Sequence, residues 1–108
     1  MQATLHLPGT APRLLTATEL AALGIHQSPS GPTLDFAAAE PVLRTLLGTA
    51  VPVETLASGP GYLIVVPENA ADYDFGVTPS ASADVKRLTG VAIDEEDPLT
   101  GPLLVIEG

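Results

Sequence analysis

The most concentrated chemistry in this sequence is a run of four carboxylates, Asp94, Glu95, Glu96 and Asp97, set between two apolar runs in VAIDEEDPLTGPLLVIEG. Carboxylates are hard oxygen donors, and a Ca²⁺ site collects six to eight such ligands at alternating loop positions. Counted from Asp94, the sixth and twelfth positions are Leu99 and Val105, where a calcium loop needs glycine and glutamate. Four adjacent carboxylates also cannot all converge on one ion. With Pro98 and Gly101 following, the run reads as a solvated connection between two strands, and docking of a cationic partner is its functional reading.

A second pair, Asp72 and Asp74, stands in DYDFG. A D-x-D pair holds Mg²⁺ when it closes a buried strand beside substrate phosphates. Here the preceding apolar run stops at Pro67, and no glycine-rich phosphate loop accompanies the pair. Asp74-Phe75-Gly76 matches a kinase metal motif by letters only, since the other kinase elements are missing. Tyr73 and Phe75 read as aromatic anchors of a surface loop.

The remaining reactive groups are sparse. His6 and His26 do not have zinc-ligand spacing. No serine lies in a G-x-S-x-G turn or beside an obvious base in the sequence. Gly59-Pro60-Gly61 lacks the lysine and helix start of an anion loop, and Pro60 has no N–H, so it reads as a turn. The absence of cysteine excludes disulfides, thiolate metal sites and thiol catalysis. The sequence therefore offers no catalytic set, no cofactor motif and no metal set. Its interaction candidates are Asp72, Asp74, Asp94, Glu95, Glu96 and Asp97.

Charge narrows the partners. Of 108 residues, four are basic and thirteen acidic, for a net charge of -9. Residues 1–60 hold Glu19, Asp35, Glu40 and Glu54 against Arg13 and Arg44, and the other nine acids crowd into residues 61–108 with Lys86 and Arg87. Such a field repels a phosphate backbone and an anionic membrane surface, and it attracts a basic protein or a cation. TELAALGI has the start of a helix-turn-helix, but HQSPSGP cannot supply its second helix. Only 16% of residues are charged, against about 25% in a typical soluble domain. Thr, Ser, Pro, Gly and Ala, or a second subunit, must cover the rest, so a homo-oligomer is expected.

These residues need elements to place them. QATLHLP alternates, with Ala3, Leu5 and Leu7 on one face and Thr4 and His6 on a polar one, which predicts a strand. Thr16 and Glu19 have capping-box spacing and Gly24 is a stop, so a helix is expected over Ala17–Leu23. HQSPSGPTLDF reads as a turn and a short strand at Thr33–Phe36. DFAAAEPVLRTLLG reads as a helix that Pro41 forces to start near Ala39 or Glu40, or to kink there. Val51–Leu56 and Tyr62–Val66 form a hairpin around SGPG. Pro52 marks the first arm as an edge, and YLIVV, apolar on both faces, is a central strand. SASADVKRLTG is a third helix capped by Ser80 or Ser82. VAI is a short strand and PLLVIEG a last, buried one. The fold expected is a single α+β domain over residues 1–108, with a mixed sheet of about four to six strands and two or three short helices.

MQATLHLPGT has no basic n-region or long apolar stretch, so no secretory leader is expected, and no run has the length of a membrane span. With the lack of cysteine this fits a cytoplasmic protein. The leading functional expectation is a small acidic, non-enzymatic interaction or regulatory domain that binds a basic protein. The alternative is a small enzyme or ligand-binding protein, with a carboxylate site, possible for a divalent metal, at a subunit interface.

Overall fold

A computed structural model describes residues 1–68, 75–94, 96 and 98–108. Strand β1 (Gln2–His6) pairs with the two-residue β2 (Arg13–Leu14), and the chain then enters helix α1 (Ala17–Leu23). The capping box forms as its spacing predicts: the Glu19 N–H donates to Thr16 Oγ1 at 3.2 Å and the Thr16 N–H donates to Glu19 Oε1 at 2.9 Å. Gly24 ends the helix at φ 64°.

A small hairpin follows, β3 (His26–Ser28) and β4 (Gly31–Thr33), two residues ahead of the short strand expected at Thr33–Phe36. Gly31 stands at φ +118°, and a Cβ there would lie 2.0 Å from the Gly59 carbonyl oxygen. Both the backbone angle and the close approach demand glycine. Helix α2 (Phe36–Leu47) starts earlier than Pro41 alone suggests. The Asp35 carboxylate accepts the Ala38 N–H and fixes the first turn. Pro41 then sits inside the helix on its exposed side. The carbonyl of Ala37, which a proline cannot satisfy, also belongs to an exposed residue.

Strands β5 (Val53–Gly59) and β6 (Tyr62–Pro67) form the expected hairpin. Helix α3 (Ser80–Thr89) precedes β7 (Leu103–Glu107), the last strand. Residues 91–93, expected as a strand, are irregular. The main sheet runs β2-β1-β7-β6-β5 and is antiparallel at every pairing, where the sequence suggested a mixed sheet. The α3 segment returns the chain beside β6 in the opposite direction, so no parallel pair arises. Pro52 precedes the edge strand and YLIVV lies inside the sheet, as the composition implied.

Both faces of the sheet are covered. Ala3, Leu5, Leu63, Val65, Leu104 and Ile106 pack on one face with Leu23 of α1 and Ala39, Leu43 and Leu47 of α2. Ile64, Val66, Leu103 and Val105 pack on the other with Ala81 and Val85 of α3. This explains why YLIVV and LLVI are apolar at every position: strands buried on both faces carry continuous apolar runs. No helix of the described residues is long and apolar enough to cross a membrane.

Candidate functional site

Under α3, the sheet face carries Gln2 and His6 of β1 and Glu107 of β7, and these meet Ser80, Asp84 and Arg87 of the helix. His6 is 2% exposed. Its alternation partner Leu5 does face the core as expected, but the face read as polar is roofed by α3, so His6 is buried. A buried imidazole needs partners at both nitrogens. Nε2 lies 2.9 Å from Asp84 Oδ2 and Nδ1 lies 3.1 Å from Ser80 Oγ. The neutral ring satisfies this arrangement when Nε2–H donates to the carboxylate and Nδ1 accepts the serine O–H.

The chain of polar contacts continues outward. Arg87 Nη2 donates to Asp84 Oδ1 at 2.9 Å, and Arg87 grips both oxygens of Glu107 at 2.7 and 3.1 Å. Gln2 Nε2 donates to Glu107 Oε2 at 3.4 Å. Partial burial pushes the Asp84 carboxyl up, but the Arg87 and His6 hydrogen bonds outweigh it and hold the group below its ordinary value. The Arg87 fork holds the Glu107 carboxyl low, and Glu107 and Asp84 together raise the guanidinium. Ser80 was expected as a helix cap; instead Pro79 holds that position with no side-chain cap, and the Ser80 hydroxyl is spent on His6.

The acidic candidates lie elsewhere. Asp94 and Glu96 are exposed, and the Glu96 N–H donates to Asp94 Oδ1 at 2.9 Å, the geometry of a turn closed by its own aspartate. Asp72, Asp74, Glu95 and Asp97 lie outside the described residues. Among the described residues, no group of three or more His, Asp or Glu side chains is placed to share a metal ion.

Ion pairing sorts the surface charge. Arg13 pairs with Glu19, Arg44 with Glu40, and Arg87 with Asp84 and Glu107. Among the described residues, Asp35, Glu54, Glu68, Asp94 and Glu96 have no cationic partner, and Lys86 is the one base left outside these pairs. Three of the four cations are thus neutralised at home, and among the described residues the unpaired carboxylates of Asp35, Glu54, Asp94 and Glu96 are exposed, with Glu68 half-buried. Glu54, which no sequence motif singled out, stands exposed on the edge strand β5. Its signal in the sequence was only Pro52 two residues earlier, which marked the edge.

No protein-family model, curated protein or solved structure matches the chain.

Proposed function

We propose that this protein is a small acidic interaction domain whose outward carboxylates dock a basic protein segment. The observation that carries the reading is the pairing pattern: the arginines are held in ion pairs within the fold, while Asp35, Glu54, Glu68, Asp94 and Glu96 are left for an external cation. Exposed charges of this kind speed encounter and select the sign of the partner more than they add raw affinity. The direct test is calorimetric titration with a labelled oligolysine. Saturable binding that weakens by about tenfold between low and physiological-plus salt is expected, because exposed charges are screened over ~8 Å. Absent binding, or binding indifferent to salt, overturns the reading. Self-association belongs to the same proposal, since a surface with so few charges leaves much area for a second copy. Sedimentation should then give a species heavier than the 11.0 kDa chain.

A second reading has its own support. Ser80, His6 and Asp84 form a hydrogen-bonded series of hydroxyl, imidazole and carboxylate, the parts of a nucleophilic relay. If it works as one, a fluorophosphonate labels Ser80 in the parent and not in a His6→Gln variant. No labelling of the folded parent leaves the series as a structural tie between β1 and α3.

A further inference from the structure

We propose that β5 is an acceptor edge, on which an extended segment of the basic partner adds to the sheet as a further strand. This rests on the docking reading above and names its surface. The ladder fixes which groups are free. The Glu68 N–H donates to the Pro52 carbonyl at 2.7 Å, so that pair is a hydrogen-bonded one. Hydrogen-bonded and non-hydrogen-bonded pairs alternate along antiparallel strands. With Val53 opposite Pro67, Glu54 opposite Val66 and Thr55 opposite Val65, the main chain of Glu54 turns toward β6 and those of Val53 and Thr55 turn away. The register slips at Leu56, and Ser58, opposite Leu63, again turns away. The N–H and C=O groups of Val53, Thr55 and Ser58 therefore point outward from an edge with one strand partner.

The two faces beside this edge differ. Leu63 and Val65 belong to the face covered by α1 and α2, so Thr55 and Ser58 share that face. There they line a groove of about 310 Å³ with Pro32, Leu34 and Phe36. Glu54 projects on the opposite face, exposed and without a cationic partner among the described residues. An added strand would meet Glu54 with one set of side chains and the groove with the alternate set. The matching segment carries basic residues at every second position and small or β-branched ones between them.

A second copy of this chain fits worse. Edge-to-edge pairing of two β5 strands would bring two Glu54 carboxylates together, on molecules that each carry a net charge of -9. A charged residue and a bulge on an edge strand are the usual guards against self-pairing. The same charge attracts a cationic strand.

The test uses a fluorescein-labelled peptide of lysine–valine repeats, about eight residues long, the length of an ordinary strand. Added antiparallel, the direction of every pairing in this sheet, its valines enter the groove and their N–H groups face β5, while the lysine N–H groups face solvent. Methylating the valine amides should weaken binding to the parent protein by about tenfold, and methylating the lysine amides should leave it unchanged. Thr55→Pro removes an outward donor without touching the β6 ladder and should weaken the unmethylated peptide similarly. Should that variant fail to fold, the methylated peptides on the parent decide alone. Equal binding of both methylated peptides overturns the edge and leaves the docking reading standing. No binding of the unmethylated peptide at low salt overturns the docking reading itself.

Discussion

His6 ties β1 to α3 through both ring nitrogens, and its removal takes a hydrogen bond from Ser80 Oγ and from Asp84 Oδ2, while Asp84 keeps Arg87. His6→Ala is expected to cost about 2–4 kcal/mol, since it combines a cavity at a buried ring with the loss of two hydrogen bonds. Ser80→Ala removes one weaker bond and should cost about 1 kcal/mol. Urea unfolding of the two variants measures the difference, and equal small losses would contradict the account. The carboxylates add a pH dependence. Asp84 and Glu107 are held below their ordinary values of 3.8 and 4.5, and Glu19, donated to by Arg13 and by its helix cap, is lowered to about 2. Groups that release protons more readily when folded contribute stability that is complete above the unfolded values and drains away as pH falls through the folded ones. Stability should therefore fall from about pH 4.5 downward, and Glu107→Gln should flatten that fall. A parent whose urea midpoint stays constant from about pH 5 to pH 2.5 would contradict this. None of this cluster was legible in the sequence. Ser80 and Asp84 stand 74 and 78 residues from His6, and local patterns carry no information on contacts that distant. The alternation of β1 did give the correct face for His6; it could not give the helix that covers it.

The elements differ in how much of themselves they declare. Helix α1 has its cap, its apolar face and its glycine stop within nine residues, Thr16 to Gly24, and its bounds follow from them. β2 and the β3–β4 hairpin are two or three residues long, shorter than any periodicity can register, and β4 holds Pro32, which reads against a strand. Helix α2 shows tertiary packing overriding a local rule. Ala39, Leu43 and Leu47 bury against the sheet, and that burial offsets the bond lost at Pro41. Pro41→Ala should raise thermal stability, by about 1 kcal/mol, because it restores the missing hydrogen bond while returning some freedom to the unfolded chain. A lower melting temperature would show that Pro41 packs productively. Gly31→Ala should act in the other direction. Its Cβ would collide with the Gly59 carbonyl at a left-handed backbone, at a cost of at least ~2 kcal/mol. Loss of the hairpin from amide-exchange protection, with the main sheet intact, is the expected signature.

At the scale of the molecule, two covered sheet faces leave the edges and the outer helix surfaces for recognition. Among the described residues, the large exposed apolar side chains, Met1, Leu14, Leu56, Val77 and Val91, fall in five separate segments rather than one element. Charge is the more coherent outward feature, and the sign of it was readable from composition alone. Its distribution was not, because it depends on which acids the arginines claim after folding. The salt bridges at the surface contribute little stability by themselves. Their larger effect is to withdraw cations from the field that a partner meets. An amide-resolved NMR titration with the lysine–valine peptide tests the central claim most directly. The account predicts saturable shifts concentrated on residues 53–58 that vanish as salt is raised. Shifts scattered evenly over the surface, or none, would contradict it.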